Sequence, residues 1–137
     1  MKFEVIGKIK GKGRPRFSTR GKYVKTYTPE ATASYENWIK TCFLNQCKNY
    51  DSNYSGTIKM TIEAIFEVPK SYSKKKTKEL IENNSPYLHK PDSDNIAKCV
   101  ADSLNGIAYK DDSQISYLVI DKKYGEIEKL IINIEYL

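Results

Sequence analysis

The sequence predicts one α/β domain of the α+β kind: a mixed β-sheet of about four strands packed with two main helices. Three observations predict it. Apolar residues alternate at strand spacing near the N-terminus, through the middle of the chain and again near the C-terminus. Two segments between these runs carry apolar residues at helical spacing. The chain has 137 residues, 39% of them hydrophobic, enough for one core but not two, so residues 1–137 read as a single domain.

The first strand places Phe3, Val5 and Ile9 in alternation, and Gly11-Lys12-Gly13-Arg14-Pro15 breaks the pattern into a basic loop. Thr28-Pro29-Glu30 starts a helix: threonine caps free amides, proline's fixed φ suits the first position, and glutamate favours the positive dipole end. That helix runs to about Lys48, with Ala31, Tyr35, Trp38 and Cys42 facing one way. Between Thr57 and Val68 lies the clearest half-buried strand, with Ile58, Met60, Ile62, Ala64, Phe66 and Val68 on one face. Pro69 to Pro91 is a polar, lysine-rich excursion with a short helical stretch around Thr77 to Glu82. From Asp94 to Asn105 the set Ile96, Ala97, Val100, Ala101 and Leu104 shares one helical face. The opposite face carries Asp94, Lys98, Asp102 and Asn105, and Gly106 stands where a left-handed cap is wanted. Two closing strands, Ile115 to Lys122 and Glu128 to Tyr136, turn near Tyr124-Gly125.

The formal net charge of +6 is unevenly placed, because residues 1–28 hold nine Lys/Arg against the single acid Glu4, a net of +8. Such a field attracts polyanions and releases their counterions, which makes nucleic acid the leading partner class. Neither an apolar run of about eighteen residues nor an apolar N-terminal block is present, so no membrane association and a location inside the cell are expected. Cys42, Cys47 and Cys99 are odd in number and lack zinc-site spacing, and they read as reduced, semi-buried thiols.

Lys90-Pro91-Asp92-Ser93-Asp94-Asn95 sets two carboxylates two residues apart at the start of the second helix. Magnesium takes only oxygen ligands and normally accepts one or two carboxylates plus water and substrate phosphate, so Asp92 and Asp94 suffice as a nucleus. The bland reading is a helix cap with a solvated neighbour. Asp111-Asp112, just before a strand, is either a turn or the source of a third acidic ligand. Lys98, one helical turn after Asp94, either contacts a phosphate or makes an i,i+4 salt bridge. His89, the only histidine, reads as a polar loop residue rather than a general base. Phe17 either packs or stacks on an unpaired base, and Tyr23 and Tyr27 read as structural.

The stretch KPDSDNIAKCVADSLNGIAYKDDSQI, with KGRPRF and TYTPEATASYE upstream, resembles the RusA family of Holliday-junction endodeoxyribonucleases from Lys12 to about Tyr117. The resemblance implies that Asp92, Asp94 and Asp112 are catalytic metal-binding carboxylates, that Lys98 is an essential lysine, and that Asp111 supports the metal. It implies Mg2+, with Mn2+ able to substitute, and a homodimer that nicks four-way junctions symmetrically in DNA recombination and repair. It further implies hydrolysis leaving 5′-phosphates, in a bacterial or phage-encoded cytoplasmic enzyme. Lys12, Arg14, Arg16 and Arg20 would contact phosphates. Lys74, Lys75 and Lys76 either grip a duplex arm or form a solvated run. Two other readings stay open: a non-catalytic nucleic-acid-binding module, and a flap or duplex nuclease without junction selectivity.

Overall fold

In the computed structural model the alternation of Ile58, Met60, Ile62, Ala64 and Phe66 forms β4 (Ile58–Glu67), whose apolar side is fully buried. The structure describes residues 1–13, 16–20, 23–27 and 30–137, with 16–20 and 23–27 described as backbone alone. The remaining strands of the main sheet are β1 (Lys2–Ile6), β5 (Ile115–Gly125) and β6 (Lys129–Tyr136), and the order across the sheet is β1-β6-β4-β5. β6 is antiparallel to both β1 and β4, whereas β5 runs parallel to β4. The expected mixed sheet is therefore present. The two closing strands, however, are not a hairpin, because β4 lies between them. Parallel pairing to β4 lets β5 follow the helical crossover from β4, and β6 then returns antiparallel on β4's other edge.

Arg16–Arg20 and Tyr23–Tyr27, where no strand was expected, pair as a second, two-stranded sheet of β2 (Arg16–Arg20) and β3 (Tyr23–Tyr27). The helices are α1 (Glu30–Gln46), α2 (Lys74–Glu82) and α3 (Ser93–Ser103), and a single 3-10 turn covers Asp112–Gln114. α1 starts and ends close to expectation, but its buried stripe is Thr32, Tyr35, Ile39, Cys42 and Phe43. Ala31 is exposed and Trp38 is 46% exposed. Turning the helix by about one position buries the larger apolar pair Ile39 and Phe43. The indole of Trp38 stays at the rim, where its N–H donates to the Ile6 carbonyl at 3.0 Å.

β1 ends earlier than the alternation suggests, at Gly7 with φ +126°, yet Ile9 is still buried beyond it. Its amide donates to the Glu128 carboxylate at 2.8 Å. α2 is longer than the stretch expected at Thr77–Glu82, since Ser73 caps it by accepting from the Lys76 amide at 3.1 Å. Gly106 has the expected left-handed φ of +72°, but α3 ends at Ser103 instead of Asn105, so Gly106 lies two residues past its C-cap, Leu104.

One core unites the inward residues of β1, β4 and β6 with α1 and α3. The opposite face of the sheet carries ion pairs such as Lys129–Glu4 at 3.2 Å and Lys123–Glu63 at 3.8 Å. The three cysteines are free and fully buried rather than semi-buried, and burial pushes the Cys99 thiol up to about 12. No helix among the described residues is long and apolar enough to cross a membrane.

Candidate active site

Asp92 occupies the N-cap position of α3, with extended backbone angles of −69° and 150°. Its carboxylate nevertheless makes no capping hydrogen bond; only its carbonyl serves the helix, accepting from the Ile96 amide at 3.1 Å. Asp94 follows in the first turn, and both acids are exposed. The helix N-terminus favours negative charge there. Of the two readings the sequence leaves open for Asp92, the cap lacks its defining bond.

The second acidic pair divides its labour. Asp111 is a true cap of the 3-10 turn: its carboxylate accepts from the Ser113 amide at 3.4 Å and from the Ser113 hydroxyl, while its own amide donates to Gln114 Oε1 at 2.8 Å. The Ser113 hydroxyl holds the Asp111 carboxyl below the usual range. Asp112 is the reverse case. Burial first, then the neighbouring charges of Asp111 and Asp102, push its carboxyl up against the opposing pull of Lys98. Gln114 fixes the turn by donating to the carbonyls of Tyr54 and Gly56 at 2.7 and 2.8 Å. Tyr109 is buried close by, its hydroxyl donating to the Ala101 carbonyl at 2.7 Å.

Lys98 points toward Asp102, 3.4 Å away and one turn along α3, instead of back toward Asp94, and its side chain stays 62% exposed. The same Asp102 oxygen lies 3.3 Å from the ammonium of Lys12, which also pairs with Glu36. Burial works against the Lys12 charge, but Glu36 and Asp102 outweigh it and hold the ammonium above its ordinary range. Asp102 thus joins Lys12, Lys98 and Asp112, a role not assigned from sequence. The available signal was the polar stripe 94, 98, 102 at i,i+4 spacing, in which Asp102 reads as a surface partner.

The basic segment before residue 14 is docked by its backbone on both α3 and α1. The Lys12 amide donates to the Asn95 carbonyl at 2.9 Å and the Gly13 amide to the Thr32 hydroxyl at 3.0 Å. A Cβ on Gly11 would stand 2.9 Å from Asn95 Cβ and 3.0 Å from Pro91 Cβ, atoms too close to the backbone to swing away. Gly11→Ala should therefore lift Lys12 from Asp102 and reduce the activity of the site by about tenfold or more, the scale on which supporting groups act. Steady-state rates beside a melting curve check this, and a wild-type rate would show that Gly11 does not hold Lys12 in place. Asp102→Ala should cost about ten- to a hundredfold in rate. Asp102→Asn, which keeps the shape but not the charge, should recover little of it.

Other expected site residues lie elsewhere. The side chains of Arg14, Arg16, Arg20 and Phe17 fall outside the described residues. Lys74, Lys75 and Lys76 are exposed on α2, where the Lys76 ammonium sits 4.2 Å from the Tyr72 ring centroid. They do not line the clefts that contain Asp92. His89 is exposed, and its carbonyl accepts from Lys122 Nζ at 2.6 Å. Among the described residues, no three His, Cys, Asp or Glu side chains converge into a ready-made metal cage.

Comparison with known proteins bears directly on this cluster of exposed acids and tethered lysines. The profile of the family described as Endodeoxyribonuclease RusA matches residues 7–135, which include Lys12 and all the acids above. A relative from Bacillus subtilis (strain 168), described as "Uncharacterized protein YqaN", is 34% identical over 129 residues, covering 92% of this chain and 89% of the relative. The chain belongs to the RusA endodeoxyribonuclease family.

Proposed function

We propose that this protein is a magnesium-dependent endodeoxyribonuclease that resolves four-way DNA junctions by paired symmetric nicks, acting as a homodimer in bacterial or phage recombination and repair. The observation that carries the reading is a division of charge. The fold leaves the Asp92 carboxylate without a capping bond and crowds Asp112 with Asp111 and Asp102, while Asp102 holds the cations of Lys12 and Lys98 beside the acids. A carboxylate crowded by other carboxylates favours an added hard cation.

The donors suit magnesium in kind, because they are carboxylate oxygens, and in number, because magnesium takes few protein ligands and completes its shell with water and phosphate. Asp92, Asp94 and Asp112, which do not converge as a three-acid cluster, would have to be drawn together to hold it, while Asp111 is occupied by its capping bonds. When bound, magnesium or manganese supplies Lewis-acid activation of water and charge neutralisation at the phosphate. Lys98, exposed at the head of this cluster, neutralises charge that develops on the phosphate oxygens, and Lys12 binds an adjacent phosphate. Hydrolysis in this arrangement leaves a 5′-phosphate and a 3′-hydroxyl.

A homodimer would suit a substrate with two equivalent strands to cut. The edge strand β5 supports it, since Tyr117, Leu118 and Val119 are exposed in succession where a strand edge is ordinarily paired or blunted. The bacterial relative supports action within a bacterial cell.

The deciding experiment is cleavage of an end-labelled synthetic four-way junction in Mg2+, in Mn2+ and in EDTA, with linear duplex as control. The expected result is paired nicks at symmetric positions, abolished by EDTA and absent from the duplex. Salt-sensitive binding without cleavage in either metal would instead identify a binding module. Single unpaired nicks in flaps or duplex would identify a nuclease without junction selectivity.

A further inference from the structure

We infer that the protein carries a second nucleic-acid contact that runs from Lys12 past Asp92 to Tyr72: a basic, partly aromatic groove that holds one unpaired DNA strand and seats a base at its far end. The inference rests on the nuclease reading only for the identity of the polymer.

Three clefts share walls. The first, of about 670 Å³, is lined by Tyr72, Tyr87 and His89, with Lys8 and Lys70 at its sides. The second, of about 690 Å³, shares Tyr87 and His89 and adds Leu88, Lys90, Lys122 and Asp92. The third, of about 400 Å³, shares Lys90 and Asp92 and reaches Lys10, Gly11 and Lys12. Because each adjoining pair has residues in common, the three clefts are neighbours in a row from Tyr72 past Asp92 to Lys12.

Its chemistry selects a single strand. Six lysines line it, at positions 8, 10, 12, 70, 90 and 122; Lys12 is already paired with Glu36 and Asp102, and the other five match a phosphate backbone. The acids at the far end are Glu67 and Glu128, and the Glu128 carboxylate is already occupied by the amides of Ile9 at 2.8 Å and Glu67 at 3.3 Å. The groove also exposes large apolar side chains: Leu88 is 82% exposed, and Ile6 and Ile127 line the first cleft. A duplex presents phosphates outward and hides its base faces, so it has no use for such a surface. An unpaired strand has base faces to bury on apolar and aromatic side chains.

The floor is rigid. The Tyr87 ring stacks on Phe66 at 3.8 Å with 5° between planes, its hydroxyl donates to the Lys90 carbonyl at 3.3 Å, and Lys122 clamps the His89 carbonyl. A preformed platform binds without the cost of being ordered.

The test measures fluorescence anisotropy of a labelled oligothymidylate about eight nucleotides long, within the site sizes such grooves accommodate, in EDTA so that nothing is cut. Blunt duplex of equal length is the comparison. Tyr72→Leu removes the ring and keeps apolar bulk; Ile127→Ser, on an exposed residue, serves if the first variant fails to fold. Lys59→Ala, on the opposite face of the sheet, removes one charge away from the groove. Tyr72→Leu and Ile127→Ser should weaken oligothymidylate binding by about tenfold, a stacking-sized loss, with duplex binding unchanged. Lys59→Ala should alter neither. Equal losses on both ligands, or no loss on either, would overturn the groove. Junction cleavage in magnesium separates the two readings. Tyr72-dependent strand binding without cleavage would retain the groove and remove the enzyme, whereas cleavage with Tyr72-independent strand binding would do the opposite.

Discussion

Replacing Asp112 by asparagine should abolish metal-dependent cleavage and make the metal-free protein more stable. The loss should be at least about a hundredfold, because even groups that only support metal ligands cost ten- to a hundredfold when removed. The stability gain follows from what surrounds the carboxylate. Burial, Asp111 and Asp102 all disfavour its anion, so the folded chain holds the Asp112 proton to a higher pH than the unfolded chain does. Asp112 therefore contributes stability to the metal-free protein as pH falls toward the ordinary carboxylate value of about 4, and that contribution is lost as pH rises through the raised folded-state value. Asparagine removes the charge and with it this pH-dependent component. Near neutrality the variant should melt about 1–3 °C above the metal-free wild type, a modest figure because the group is partly exposed to screening solvent. Magnesium should raise the wild-type melting temperature and not that of the variant. Cleavage by the wild type should decline on acidification, because the metal competes with the proton for Asp112. A variant that melts lower than wild type and still cuts would show Asp112 to be a structural acid.

Asp92→Ala separates the two meanings of an acid at a helix start. An aspartate that caps through its side chain costs about 1 kcal/mol when truncated, which in a domain of this size lowers the melting temperature by about 3 °C. The Asp92 side chain accepts no such bond. The variant should melt within about 1 °C of wild type while losing at least about a hundredfold in cleavage rate. Differential scanning fluorimetry beside the junction assay reads both quantities. A clear drop in melting temperature with cleavage intact would return Asp92 to the cap role.

Much of the fold was legible because its signals are local. The strict alternation at 58–66 needs only a half-buried strand, and the apolar stripe of α3 with Asn105-Gly106 after it needs only a helix and its cap. Less was legible where two local solutions compete. On α1 the stripes through Trp38 and through Ile39 are both helical, and the side facing the sheet was settled by which residues fill the space against β1. The turn at Tyr124-Gly125 resembles a hairpin, yet the flanking strands are separated by β4, which comes from far earlier in the chain. The lysine run at 74–76 reads either as a grip on a duplex arm or as a solvated run, and α2 places it outside the clefts that contain Asp92.

The site divides in the same way. By itself the sequence determined which residue types are present and at what spacing: Asp92 and Asp94 at a helix start, Lys98 one turn on, and a second acidic pair before a strand. Spacing along a helix or turn is a property of adjacent residues, so it survives without any knowledge of the fold. Only the tertiary structure decided that Asp111 is bound into its own turn while Asp112 is left crowded, and that Asp102 reaches across to Lys12 from another part of the chain. Those assignments depend on which groups share a few ångströms of space after packing, and carboxylates that look equivalent in sequence become unlike through burial and the charges nearest to them.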